Sequence, residues 1–311
     1  MRFELTTDQQ DFASALDALL AASDPVGVAR AWAQGDHAPG TRLWERLAEQ
    51  GLTMLATDAT SVEVCVAFEA LGRHAVPGPW VESAAYLPVA LGAEVEGIAT
   101  VAAPPHTPYA LDADVADAVY VAGPDGLRTA TVGDGLVSVD RTRRLFAVTA
   151  GELVAGVPGA AAPGQDAAFD LAALATAAQL LGAGERVLAD AVGYVKQRRQ
   201  FGREIGSYQA VKHKLADVRI ALDFARPLLF GAALAPADSP RERARAVSAA
   251  KVACADAAYL ASRTGLQVHG AIGYTEEFDL SLWLTRIRAL VTAWGTPAFH
   301  RDRLLADLRS A

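Results

Sequence analysis

Three long Ala- and Leu-rich stretches, at about 168–198, 207–235 and 239–268, constrain this chain more than any other feature. Each is long enough to cross a small domain as one helix, and its apolar residues recur at helical spacing. A helix of that length hides its apolar stripe best against partners of similar length. The second half of the chain is therefore predicted to be a bundle of long helices. The intervening segments RQFGREIGS (199–207), PADSP (236–240) and HGAIGY (269–274) carry the Gly, Pro and Ser that break helices. Aromatics make up only 7% of the chain, so the core is expected to be built from Ala, Leu and Val.

The first half reads differently. A helix is predicted over 6–22, capped by Thr6 or Thr7, with Phe12, Leu16, Leu19 and Leu20 at helical spacing. Residues 41–51 repeat the pattern with Leu43, Trp44 and Leu47, and stop at Gly51. A third helix covers 60–73 and ends near Gly72; PGPW (77–80) interrupts it, and helix resumes over 81–92. Near residue 97 the character changes. GIATVAA, AVYVAG, LRTATVG and GLVSVD are short β-rich runs between Gly, Pro and Asp, predicting a small antiparallel sheet or barrel over about 97–157. AAAPGQDAA (160–168) reads as a linker or a tight lead-in to the next helix. The fold class is mainly α with a small β domain, divided as 1–95, 96–160 and 161–311.

Composition narrows the function. Hydrophobic residues are 52% of the chain and charged residues 21%, which supports a large core and argues against disorder. A net charge of −8 argues against a nucleic-acid partner. Residues 1–150 carry 9 Lys/Arg against 20 Asp/Glu, whereas residues 151–311 carry 19 against 16. The mildly basic second half fits an anionic ligand such as a pyrophosphate, or equally the solvated faces of ordinary helices. With only Cys65 and Cys254, a disulfide framework or a Cys-based metal site is not expected, and a reducing cytoplasm fits. MRFELTTDQQ has no signal-peptide core, and no uncharged run reaches the roughly 18 apolar residues of a membrane span.

Two segments carry chemistry. In YVKQRRQFGREIGSYQAVKHKLADVRI (194–220), Arg198 offers a fork of donors suited to a pyrophosphate. Phe201 offers a flat face, and Gly202 a tight exit from the helix. QVHGAIGYTEEF (267–278) is a Gly-rich break between helices. Together they resemble the signature of the acyl-CoA dehydrogenase family, through Tyr194, Arg198, Gln200, Phe201, Gly202, Gln209, Leu215, Ala216 and Asp217, then Gln267, Gly270, Gly273 and Tyr274. Ala271 stands where the family has a second Gly, a change expected to crowd the backbone's approach to a cofactor. LTTDQQDF, WERLAEQGL (44–52) and EALGR (69–73) match more loosely. The resemblance implies an N-terminal helical domain, a middle β domain, a C-terminal four-helix bundle, and FAD as cofactor. It implies FAD contacts by Arg198, Gln200, Phe201 and Gln209, and by Gln267, Val268, Gly270 and Ala271 at the adenosine end across a subunit interface.

What departs from the family is equally specific. The family's catalytic Glu lies in a Tyr-Glu-Gly-Thr segment; here that segment is AWGTP (293–297), which puts Trp294 in the Glu position. An indole has no basic lone pair to accept a proton near neutral pH. The family's alternative Glu follows a Phe-Asp pair. Phe169 and Asp170 match that pair, but Ala172 takes the Glu position and Ala173 the adjoining Arg position. Asp170 is shared by the family as a structural residue. The Thr-Glu-Pro-x-x-Gly-Ser-Asp loop that holds the flavin ring has no counterpart between Val95 and Pro158, and His106 reads as a surface loop residue. No catalytic residue is assigned. This pattern resembles the small subunits of actinobacterial α2β2 acyl-CoA dehydrogenases, several of which act on steroid side-chain CoA thioesters. That resemblance implies a full-length partner subunit which binds the acyl-CoA and shares FAD at the interface. Two rival readings remain: a cofactor-free scaffold, and a stand-alone relative with dehydratase or isomerase chemistry on Glu276 or Glu277, which otherwise read as helix N-terminal charges.

Overall fold

The computed structural model describes residues 4–156 and 164–309. Helix α1 (Thr7–Ala21) opens in a capping box: Thr6 Oγ1 accepts from the Gln9 N–H, and the Gln9 side chain accepts from the Thr6 N–H. Helix α2 (Pro25–Ala33) was not expected; its nine residues, with Pro25 at the start and Gly27 inside, are too few to show a period. Helix α3 (Ala38–Glu49) buries Leu43, Trp44 and Leu47 as predicted. The chain then turns at Gly51 (φ 81°) into α4 (Leu55–Asp58) and α5 (Ser61–Arg73). Beyond the PGPW break, Trp80 stacks on Trp44 with ring centroids 3.7 Å apart. Helix resumes over 81–91 as predicted, but it opens with a π-helical turn, Glu82–Tyr86, that runs into α6 (Leu87–Leu91). Such turns accommodate an extra residue and recur at functional sites.

The β domain has strands β1 (Ala99–Ala102), β2 (Ala110–Leu111), β3 (Ala118–Gly123), β4 (Gly126–Leu136) and β5 (Leu145–Gly156). Their order is β1-β3-β4-β5-β2. The sheet is mixed rather than antiparallel as expected. The chain leaves β1, forms β2 at the far edge, and returns to lay β3 parallel to β1. The run at 127–133 belongs to one long strand, β4, whose register slips against β5 and bends the ribbon; residues 137–140 leave the sheet. The Leu111 N–H on β2 donates to Thr100 Oγ1 on β1 (3.1 Å), so the two edges curl toward each other. The boundary placed near 160, and the first part of AAAPGQDAA, fall at 157–163, outside the described residues.

The bundle comprises α7 (Gln165–Gln197), α8 (Gln209–Ala233), α9 (Pro240–His269), α10 (Leu280–Thr292) and α11 (Pro297–Arg309). The three long helices fall within three residues of the predicted bounds. Helix α7 is long and apolar enough to cross a membrane, but 83% of that stretch is buried inside the protein, which accounts for its apolarity. It crosses α5 at glycines: a Cβ on Gly182 would lie 1.9 Å from the Glu69 carbonyl oxygen, and one on Gly72 2.1 Å from that of Gln179. Above this crossing, Arg226 of α8 grips Glu69 with two hydrogen bonds (2.8 and 2.9 Å) and reaches Glu185 of α7 (3.1 Å).

One buried guanidinium joins all three parts of the molecule. Arg286 of α10 donates to Asp140 Oδ2 (2.5 Å) and Thr142 Oγ1 (2.6 Å) beside the sheet, and to the Val76 carbonyl after α5 (3.0 Å). Removing one partner of a buried pair strands the other charge. Arg286→Met should therefore cost about 3–5 kcal/mol in urea unfolding; a loss below about 1 kcal/mol would contradict this account. A second junction is Asp112, fully buried, whose Oδ1 accepts from the Trp32 indole (3.2 Å) and the Arg144 N–H (3.1 Å). Burial pushes its pKa up to about 6, against the pull of those donors and of Arg144 and Arg143. A folded-state pKa above the unfolded value means the contribution is full below the ordinary carboxylate range and is lost as pH rises through about 6. Asp112→Asn should flatten that decline by on the order of 2 kcal/mol, read as the wild-type-minus-variant difference in stability between pH 4 and pH 7.

Candidate functional site

The predicted cofactor residues gather at one end of the bundle. Helix α7 ends at Gln197, and Arg198 leaves it with its N–H still bonded to the Tyr194 carbonyl (2.9 Å). Gly202 was expected to provide the exit. It instead sits in the turn of a hairpin, between β6 (Arg199–Gln200) and β7 (Arg203–Glu204). Phe201 (φ 54°) and Gly202 (φ 83°) both have positive φ, as a type I′ turn demands. Glycine tolerates this freely; phenylalanine does not, and Phe201 is 90% exposed at the tip. The Arg198 and Gln200 side chains are exposed and have no partner among the described residues. The Tyr208 hydroxyl donates to the Gln200 carbonyl (3.4 Å), tying the hairpin to the start of α8. Helix α8 begins at exposed Gln209 with no side-chain cap, so its free N–H groups present positive potential there.

The end of α9 lies alongside. His269 is buried, its ring stacked on Tyr194 (4.3 Å), and the Tyr194 hydroxyl donates to the His269 carbonyl (3.5 Å). Gln267 is exposed and accepts from Lys214 Nζ (3.0 Å), while Val268 is half-buried. Gly270 (φ 64°, ψ −139°) adopts a conformation open only to glycine, and a Cβ there would meet nothing within 4 Å. Its backbone faces open space. Ala271 is exposed and has no positive φ, so replacing the family's Gly creates no local strain. Glu276 and Glu277, expected as helix N-terminal charges, lie in the loop before Asp279, which holds the N-cap position of α10 without a side-chain cap. Glu276 pairs with Arg141 (3.3 Å), and the Glu277 carbonyl holds Arg30 (2.9 Å). These contacts brace the loop.

Trp294 is fully buried with φ 53°. Its N–H donates to Thr107 Oγ1 (3.3 Å), and its indole donates to Glu82 Oε1 (3.3 Å). Burial pulls the His300 pKa down to about 4, so its ring is neutral at pH 7. Nε2 must then carry the proton that meets the Trp294 carbonyl (3.0 Å), and Nδ1 accepts from Ser248 Oγ (3.1 Å). Buried Lys251 donates to the carbonyls of Leu290, Val291 and Gly295 (3.1, 3.2 and 3.3 Å), closing the end of α10. Burial drives its pKa down to about 7, and these carbonyls favour the ammonium. Thr296 Oγ1 accepts from the Phe299 N–H (3.1 Å) at the start of α11. Ala172 and Ala173 are buried in α7, and Asp170 is held by Arg303 (2.5 Å), a structural role as expected.

Beside this turn opens a cleft of about 670 Å³ whose wall includes Tyr86, His106, Phe169, Phe299 and Arg303. His106 is not the surface residue expected; it is half-buried on Phe299, with ring centroids 4.0 Å apart. Pro104, Pro105 and Pro108 in the same loop lack N–H groups, so those positions offer no backbone donors. Sequence reasoning missed Glu82, Lys251 and Arg286. The available signal was a lone charge inside an apolar run, as in WVESAAYL and SAAKVACA. Among the described residues no group of three or more His, Cys, Asp or Glu is placed to hold a metal.

Residues 165–308 match the family described as acyl-CoA dehydrogenase, C-terminal domain. Acyl-CoA dehydrogenase IpdE2 of Mycobacterium tuberculosis is 31% identical over 304 residues, covering 91% of this chain and 92% of its own. The chain belongs to the acyl-CoA dehydrogenase family. Acyl-CoA dehydrogenases are FAD-dependent oxidoreductases acting on CH–CH bonds. The fold is also that of the ChsE4-ChsE5 complex from Mycobacterium tuberculosis (TM-score 0.79, 21% identity, all of both chains covered). A Tcur3481-Tcur3483 steroid ACAD has it too (TM-score 0.79, 20% identity, 97% of this chain and 98% of that chain). Within this acyl-CoA dehydrogenase fold, Gly270 tests strain separately from crowding. Gly270→Ala should cost about 1–3 kcal/mol in chemical denaturation, although the methyl group has room.

Proposed function

We propose that this chain is a subunit of a heteromeric acyl-CoA dehydrogenase, lending cofactor contacts to a full-length partner and taking no proton itself. The observation that carries this reading is a contrast within one site. Donors suited to FAD stand free at the bundle end, while Trp294 fills the proton acceptor's place. The planar fork of Arg198 suits two phosphate oxygens at once, and the uncapped start of α8 at Gln209 attracts the same anion. Gln200 adds a polar arm, and exposed Phe201 a flat face for a ring. Gln267, Val268, open-backed Gly270 and Ala271 provide the adenosine end.

Bound FAD supplies the acceptor for a hydride from the acyl chain. Removing the α-proton needs a base, and the positions where the family carries one hold none here: Trp294 has no basic lone pair, Ala172 has no carboxylate, and Arg303 sequesters Asp170. The partner provides that base and the flavin-ring loop. The neighbouring folds, each from a protein named for two chains, support an assembly of two kinds of chain; an α2β2 heterotetramer is the stoichiometry we propose for it. The steroid ACAD supports a CoA thioester with a steroid side chain as substrate. Co-expression with a full-length subunit should give a complex with one FAD per pair, and Arg198→Ala should weaken FAD retention at least tenfold in gel filtration. If Arg198→Ala retains FAD fully, the cofactor-free scaffold is favoured. If the isolated chain binds FAD stoichiometrically and oxidises acyl-CoA, the division of labour is wrong.

A further inference from the structure

We infer that Glu82 is the positioning residue that holds Trp294 wedged in the vacated proton-acceptor position, filling the space behind Tyr86 and Phe169 into which this chain's own cleft would otherwise extend. The inference rests on the proposed division of labour and adds a residue that it does not use. Glu82 sits in the π-helical turn and is wholly buried. Its Oε1 accepts the indole N–H, while its Oε2 has no partner among the described residues. An unmatched buried polar atom costs roughly 1–3 kcal/mol, so packing alone does not explain a carboxylate at this point. Burial raises its pKa, and nearby Arg143, itself buried, opposes that rise.

The layers around the indole give this contact its direction. Tyr86, from the same π turn, packs against Trp294 (4.9 Å) and lines the cleft. Phe169 does the same from α7 (6.1 Å). The indole therefore lies between Glu82 and the cleft wall. Thr107, His300 and Lys251 hold the backbone of the Trp294 turn, whereas Glu82 gives the indole its only hydrogen bond among the described residues. Trp294 has a positive φ that an aromatic residue does not adopt freely, so an anchored side chain helps keep the turn in this form.

The test uses the complex with its partner and follows indole N–H exchange by NMR on tryptophan-labelled protein. Trp32, Trp80 and Trp283 are internal controls, since each is buried and its indole is hydrogen-bonded elsewhere. Glu82→Ala should speed exchange at Trp294 at least tenfold with the controls unchanged. Glu82→Gln, which keeps an oxygen acceptor, should match wild type. Equal acceleration at all four indoles, or at none, overturns the inference. Octanoyl-CoA bound per pair should rise by one in Trp294→Ala; an unchanged number refutes the space-filling role. FAD per pair, counted in the same samples, tests the division of labour separately.

Discussion

The buried Arg286 guanidinium is the contact on which the arrangement of the three parts depends. It leaves the bundle on α10, meets a carboxylate and a hydroxyl beside the sheet, and ends on a carbonyl of the N-terminal helices. A buried cation must be matched on several sides or it destabilises the fold. Meeting that requirement fixes the mutual position of α10, the 140–142 turn and the segment after α5. The Trp294 turn follows α10 directly, so its position is inherited from this junction. The glycine crossing of α5 and α7 sets the distance at which the junction forms.

From that frame the site divides into two regions of opposite character. At the bundle end, the side chains of Arg198, Gln200 and Phe201 project from a strained hairpin and its approach, with no polar partner among the described residues. Such exposure has little structural return, and it matches a ligand supplied from outside the chain. At the Trp294 turn the polar atoms of Trp294 and the carbonyl of Gly295 are matched internally, by Thr107, His300, Glu82 and Lys251. Matched, buried polar groups give rigidity, not reactivity. A subunit that helps hold a cofactor without performing proton transfer fits both regions.

Much of this was legible in the sequence because it is local. Helical period, capping at Thr6 and breaks at Gly and Pro depend on neighbours a few residues away, so the three long helices fell close to their predicted bounds. At Phe201–Gly202 the sequence predicts a helix exit where a hairpin forms, because a single Gly signals either outcome; only the paired positive φ values separate them. The sheet was read as antiparallel because the parallel β1–β3 pair forms only after the chain returns from β2, and residue alternation does not record strand order. The sequence predicts a surface position for His106 because its ring partner, Phe299, is nearly two hundred residues away.

The sequence by itself determined the family, the choice of residues proposed to face the cofactor, and the lack of a carboxylate at Trp294 and Ala172. Each is a matter of which side chain stands at which spacing. The tertiary structure alone decided what surrounds them: that Arg198 has no partner among the described residues while Asp170 is bound, that Lys251 closes α10, and that Glu82 lies behind the indole. The physical reason is that burial and pairing arise between residues far apart in the chain. A lone charge in an apolar run signals a special environment, but only the packed neighbours determine which partner neutralises it.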